Sequence, residues 1–222
     1  MEPDRAFLQL VGQAALCNPP TLVNTWDLTV DLLRRGVPGD LVECGVFAGV
    51  QPAAMARVCQ LFGDSSRRVH LFDSFAGIPQ AGPHDDRTIT DCIGVPASES
   101  VGALVSTGVS ACSVESVQRN MANWGVDAGR LVYHPGWFQH TVPTAGIGPI
   151  ALLRLDGDLY ESTKVCLEHL YPKLSLGGYC VIDDYALTGC RLAVTEYLAS
   201  IGESPEIITI EGGGGPVYWR RP

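Results

Sequence analysis

Apolar positions recur along the chain in two rhythms, and the way these alternate predicts the fold. Asn18 followed by Pro19 and Pro20 has the form of a helix start. Leu22, Trp26, Val30 and Leu33 then share one face at helical spacing, until Gly36 and Pro38 end the run. Residues 41–46 form a strand-like stretch, and after Gly49 the helical rhythm returns over 52–62. The next strand is expected at 68–73. Ser113 is placed to cap a helix through 124 that Gly125 ends, and 130–134 is a further short strand. Residues 150–155 read as a buried strand closed by Asp156, 161–174 as a helix, and 179–182 as a strand closed by Asp183 and Asp184. A helix over 191–201 precedes two strands, 206–210 and 217–220, which flank a glycine run as a terminal hairpin.

Such alternation predicts an α/β fold: an open, mostly parallel sheet with helices on both faces and ligands at the carboxyl ends of its strands. The stretch from 78 to about 110 is punctuated by Gly and Pro and has little periodicity beyond a short helix expected around 98–105. The expected organisation is one domain over 1–222, with 1–38 as a helical cap and 78–112 as a candidate lid. A net charge of −9 argues against a nucleic-acid partner, since phosphate contacts need a concentrated Lys/Arg surface. No apolar run approaches the roughly 20 residues of a membrane helix, and the acidic N-terminus lacks the basic leader of a signal peptide. A cytoplasmic setting is expected. The cysteines, such as Cys17, Cys44, Cys59 and Cys180, form no CxxC pair and are expected as small buried residues rather than zinc ligands.

Candidate chemistry gathers at the expected strand ends. Glu43-Cys44-Gly45-Val46-Phe47-Ala48-Gly49 lies where the first strand turns into a helix, and small residues there let backbone amides approach a ligand. It lacks the full glycine spacing of a dinucleotide fingerprint. Asp73, closing the second strand, is placed to accept hydrogen bonds from ribose hydroxyls, and the pair suggests an adenosyl ligand. A turn cap is the plainer role for Asp73, and NAD would suit the same geometry; the carboxylates in the far half of the sheet point away from a nicotinamide. Asp156 ends one strand and Asp183-Asp184 the next, and neighbouring parallel strands lie about 4.8 Å apart, so these side chains can converge. Hard oxygen ligands of this kind suit Mg²⁺ or Mn²⁺, unless the three are separate caps. Asp158 is a candidate base, with His134 and His140, on either side of Gly136-Trp137, as rivals. The Asp156-Gly157-Asp158 unit also fits an aspartate-nucleophile phosphatase, although that motif normally ends a first strand. Gly212 to Gly215 is followed by no helix bearing Lys-Ser/Thr and is expected as a turn, not a phosphate loop. Trp26, Trp124 and Trp219 are expected in the core or an interface.

In order along the chain, LVECGVFAG, LFDSFAGIP, PGWFQHTVP, LLRLDGDLYEST, LYPKLSLGGY, VIDDY and VYWRR resemble the macrocin O-methyltransferase family of antibiotic-tailoring enzymes. LLRLDGDLYEST followed by VIDDY is the most specific part of the resemblance, which covers most of the chain. It implies a class I (Rossmann-like) methyltransferase fold with a seven-stranded sheet, S-adenosylmethionine as methyl donor, Mg²⁺, a homodimer, and deoxysugar hydroxyls of natural products as acceptors. A non-sugar diol or phenol acceptor, or a non-catalytic adenosyl-binding protein, are the alternatives. Position by position, the resemblance implies Asp156, Asp183 and Asp184 as metal ligands and either Asp156 or Asp158 as the base. It places Glu43, Cys44, Gly45, Val46 and Phe47, then Asp73, Ser74, Phe75 and Gly77, in cofactor-binding loops. Gly136, Trp137 and Asp156 join that cofactor set, and Leu16-Cys17 matches a short stretch that closes over it. Asp158, Tyr160 and His140 fall on the substrate side. Four departures bear on the acceptor pocket more than on the reaction: Phe47-Ala48 replace Trp and a basic residue, Ala15-Leu16 replace Thr-Met, 85–113 is longer, and His140 stands where Asp is common.

Overall fold

The computed structural model describes residues 2–100 and 104–222. Five strands run parallel: β1 (Asp40–Cys44), β2 (Val69–Asp73), β3 (Leu131–Pro135), β4 (Ile150–Leu155) and β5 (Leu174–Ile182). β6 (Ile208–Thr209) and β7 (Val217–Arg220) complete a seven-stranded sheet of order β3-β2-β1-β4-β5-β7-β6, with β7 antiparallel to both neighbours. The chain therefore begins in mid-sheet, winds outward through β2 and β3, and returns to place β4 on the other side of β1. The β1/β4 boundary is the switch point at which open α/β sheets bind their ligands.

Alternation along the strands divides the apolar side chains between two cores. Leu41, Leu71, Leu152 and Val181 face α1 (Arg5–Gly12), α2 (Pro19–Arg35), α3 (Val50–Phe62) and α5 (Val114–Asn123). Val42, Phe72, Leu153 and Ile182 face α7 (Tyr160–Leu170) and α8 (Thr188–Ile201). Trp26 and Trp219 are fully buried, one in each core; burial of a side chain this large contributes on the order of 3 kcal/mol. Asn18 precedes α2 as expected, yet its amide donates to Gly213 O at 2.8 Å rather than capping the helix, which ties the terminal hairpin to the N-terminal segment.

Three local expectations are corrected. No described residue between 98 and 105 is helical, and 101–103 lie outside the described residues; the helix of that segment is α4 (Arg87–Ile93). Asp86 caps it by accepting from Thr88 N, and Ile89 and Ile93, one turn apart, pack with Ala81 and Leu159. A helix of this length over β-branched Thr88, Ile89 and Thr90 leaves little periodic signal. The helix expected to reach 174 stops at Leu170, because Pro172 turns the chain through a 3₁₀ turn (Tyr171–Lys173) before β5 starts at Leu174. β1 ends at Cys44 instead of residue 46. Gly45 there adopts φ 95°, and a Cβ on it would collide with the Asp156 carbonyl oxygen. Among the described residues no helix is long and apolar enough to cross a membrane.

Candidate active site

A cavity opens at the carboxyl ends of β1, β2, β4 and β5. Ala15, Leu16 and Cys17 close one side, and Gly77, Ile78 and Pro79 from the start of the long 78–112 segment close another. That segment is fastened at its base: Pro79 bridges Ser106, Ile78 N donates to Val109 O at 2.9 Å, and Thr107 N donates to Ile78 O at 2.9 Å. Asp85 then clips it to the start of α7, accepting from Gly82 N within the segment at 2.8 Å and from Tyr160 N at 2.9 Å. The third wall is α6 (Phe138–Thr141) with Trp137 before it.

The turn from β1 into α3 is built on Asp73. Its Oδ2 accepts from Val46 N at 2.7 Å and Phe47 N at 3.1 Å, and its Oδ1 accepts from Phe75 N at 2.7 Å. Phe47 and Phe75 both sit at positive φ, 45° and 53°, conformations that side chains adopt only when their surroundings enforce them. Asp73 is thus the turn cap that its position suggested, and it also lines the cavity. Its Oδ1 has one further partner, Ser74 Oγ, at 3.5 Å, so this oxygen retains acceptor capacity toward a ligand.

At the β4 and β5 ends the carboxylates converge. Asp156, Asp183 and Asp184 each offer an oxygen within 4.8 Å of the others, the one such group among the described residues. Asp158 lies beside them in a three-residue turn closed by Leu159 N donating to Gly157 O at 2.6 Å, with Asp158 at φ 58°. Its backbone N–H donates to Asp184 Oδ2 at 2.8 Å, while its own carboxylate makes no hydrogen bond to a described residue. Burial, and then the neighbouring Asp183, push the carboxyl of Asp156 up to about 7 and that of Asp158 up to about 6. Burial followed by Asp158 raises Asp184 well above the usual carboxylate range.

One cation lies beneath this cluster. Arg154 is fully buried; its Nη1 donates to Glu43 Oε1 at 2.5 Å and to Asp156 Oδ2 at 2.9 Å, and its Nη2 donates to Asp183 Oδ1. Glu43 and Arg154 are register partners across β1 and β4, which sets the pair in line. Burial nonetheless outweighs Arg154 at Glu43, whose carboxyl stands well above its usual range, and Glu43 Oε2 has no partner among the described residues. A single guanidinium faces the five carboxyl groups of Glu43, Asp156, Asp158, Asp183 and Asp184, and burial opposes ionisation of four of them, so an added cation would relieve what opposes their charged form. Together with an all-oxygen donor set open to the cavity, that fits one hard divalent cation.

Of the expected site residues, Leu16, Cys17, Gly45, Phe47, Asp73 and Ser74 line the cavity, as do Gly77, Trp137, Asp156, Asp158, Asp183 and Asp184. Others do not. Glu43 is buried against Arg154, and Cys44 and Val46 point into the two cores. Phe75 packs beside Tyr133, while Gly136 is the turn after β3. Tyr160 donates its hydroxyl to Glu196 at 2.6 Å, away from the cavity, and His140 is exposed on α6. His134 is engaged with His70 Nδ1 at 3.0 Å and stacks on Phe72, so it is no rival base at this site. Residues of the site that went unread in the sequence include Arg154, beneath the carboxylates, the cavity-lining Ser110, Gln139 and Ser162, and Gln51, a buried amide of α3 that lines the cavity and donates to Cys17 Sγ at 3.2 Å.

The family model described as macrocin-O-methyltransferase (TylF) matches residues 14–221. The 8-demethyl-8-(2,3-dimethoxy-alpha-L-rhamnosyl)-tetracenomycin-C 4'-O-methyltransferase of Streptomyces olivaceus is 42% identical over 211 residues, 95% of this chain and 74% of that protein. The structure of the O-methyltransferase NovP aligns with a TM-score of 0.80 at 38% identity, covering 92% of this chain and 80% of that one. TomG from Streptomyces achromogenes, solved in complex with S-adenosylmethionine, shares the fold at a TM-score of 0.59 and 15% identity, covering 100% of this chain and 92% of its own. The chain therefore belongs to the macrocin-O-methyltransferase family and is an S-adenosylmethionine-dependent O-methyltransferase.

Proposed function

We propose that the chain methylates a hydroxyl of a deoxysugar carried by a natural product, with Asp156, Asp183 and Asp184 holding Mg²⁺ or Mn²⁺ and Asp158 serving as the base. The rhamnosyl acceptor named for the S. olivaceus relative supports the sugar. The observation that carries the assignment of roles is the contrast between neighbouring carboxylates. Asp156 is tied to Arg154 and belongs to the converging group, whereas the Asp158 carboxylate is unbonded, faces the cavity and is held in place by its turn and by Asp184. A divalent cation held there would supply Lewis acidity that lowers the pKa of a hydroxyl presented to the cavity. S-adenosylmethionine, when bound, would supply the methyl group from its sulfonium with the S–C electron pair left on sulfur, and the Asp158 carboxylate would take the proton of the substrate hydroxyl. Walls from 15–17, 77–79 and Trp137 border the cavity and would bring donor and acceptor together there. The homodimer implied by the family resemblance and the cytoplasmic setting are part of the same proposal.

The test is methyl transfer from labelled S-adenosylmethionine across a panel of deoxysugar glycosides, phenols and non-sugar diols, read by mass spectrometry with and without Mg²⁺. The expected product is a methylated sugar, and Asp158→Asn is expected to lower kcat by roughly 10²–10⁴-fold. Transfer to a phenol alone, or wild-type kcat in Asp158→Asn, overturns the corresponding part.

A further inference from the structure

Arg154 has the placement of a part in the site that the assigned roles leave unused. It stands on β4 two residues before Asp156, so both side chains project to the same face of the sheet. Val181 is its register partner on β5, and Asp183 follows Val181 by the same two-residue step. Its guanidinium therefore lies beneath the ends of three adjacent strands and reaches a carboxylate from each: Glu43 after β1's Val42, Asp156 beyond β4 and Asp183 beyond β5. A fully buried arginine near the end of an otherwise apolar strand is costly to desolvate, and it is retained here with three carboxylate partners.

The pattern of bonds is selective. Arg154 takes one oxygen of Asp156, Oδ2, and one oxygen of Asp183, Oδ1, leaving the second oxygen of each carboxylate directed elsewhere. Asp184, the remaining member of the group, is not bonded to Arg154 and is oriented by Asp158 N instead. A planar fork that fixes one oxygen sets the rotation of a carboxylate in a way that a point charge does not. Glu43 fixes the fork in turn.

We propose that Arg154 is a positioning residue for the metal ligands: held by Glu43, it fixes Asp156 and Asp183 so that each presents a single oxygen to the cation, and keeps them together between binding events. The inference rests on the metal reading above. It makes a prediction opposite in sign to simple electrostatics, because removing a positive charge from beside a cation should tighten binding unless that charge is organising the ligands.

The experiment is Mn²⁺ titration of the full chain followed by electron paramagnetic resonance, for wild type, Arg154→Lys and the double variant Glu43→Gln/Arg154→Met, which removes the buried Glu43 carboxylate together with its guanidinium partner. S-adenosylmethionine binding by calorimetry and thermal melting report whether each variant is folded. In both variants Mn²⁺ affinity is expected to fall roughly 10–100-fold, the usual effect of losing a residue that orients a ligand, with cofactor affinity retained. For Arg154→Lys, kcat is expected to return toward wild type at saturating Mn²⁺, a split between metal affinity and turnover that general damage to the fold would not give. Mn²⁺ affinity equal to or tighter than wild type in a folded variant overturns the positioning role alone. A wild-type chain that binds no Mn²⁺ overturns the metal reading and this inference with it.

Discussion

Replacing Asp73 by Asn keeps the shape of the side chain and removes its charge, which isolates what the carboxylate does for the β1–α3 turn. Asp73 accepts from three backbone N–H groups: Val46 and Phe47 on Oδ2, Phe75 on Oδ1. The asparagine amide has one acceptor oxygen, so its best orientation keeps Val46 and Phe47 and turns an NH₂ group toward the Phe75 N–H. Hydrogen bonds to a charged partner contribute about 1.5–3 kcal/mol each, and neutral ones roughly half as much. One bond lost and two weakened by half amounts to about 3–6 kcal/mol, a large part of the ~5–15 kcal/mol that stabilises a typical domain. Urea unfolding of the full chain measures that loss. The same turn forms the cavity wall at Gly45 and Phe47, and both Phe47 and Phe75 are held at positive φ. Calorimetry is therefore expected to show S-adenosylmethionine affinity reduced by at least about tenfold, the equivalent of ~1.4 kcal/mol. Asp73→Asn within about 0.5 kcal/mol of wild-type stability, with unchanged cofactor affinity, would refute this role for the carboxylate.

Two further predictions follow from the same geometry. Gly45→Ala places a Cβ against the Asp156 carbonyl oxygen at a backbone φ of 95°, so the variant is expected either to fail to fold or to lose cofactor binding; a stable variant with normal calorimetry contradicts the close approach. In the metal-free protein, Asp156 and Asp158 have carboxyls raised to about 7 and about 6, chiefly by burial. Groups raised in the folded state contribute stability that is present below their unfolded value and lost as pH rises through the folded one. The rise in melting temperature on adding Mg²⁺ is therefore expected to be small at pH 5 and to grow toward pH 8, and an increment independent of pH contradicts it. Comparing with and without Mg²⁺ at each pH cancels the opposite trend from His134, which burial lowers to about 4.

The fold was legible wherever the apolar rhythm was long. The strand ending in Asp156 and the one ending in Asp183-Asp184 stood out because buried runs meet carboxylates abruptly, and the sheet does bring those ends together. Arg154 escaped notice inside the first of these runs, where the surrounding residues are apolar and the segment read as one buried strand. Its signal was nonetheless present: a charged residue of the same parity as Asp156, opposite Glu43 in register. The family resemblance places Glu43 in a cofactor-binding loop, and strand alternation turns its side chain toward Arg154, its register partner. Tyr160 and His140 take their directions from a helix N-terminus and an exposed helix face, which position along the sequence does not reveal. The short helix Arg87–Ile93 was not readable because its order comes from Asp86 and from packing on Leu159, a residue distant in sequence.

Soaking crystals of the full chain with Mn²⁺ and S-adenosylhomocysteine and recording anomalous scattering tests the central claim most directly. The account predicts one Mn²⁺ peak at about 2.0–2.3 Å from a carboxylate oxygen of each of Asp156, Asp183 and Asp184, with the Asp158 carboxylate outside the coordination sphere. A peak elsewhere, no peak at saturating Mn²⁺, or Asp158 as a ligand in place of Asp156 would contradict it.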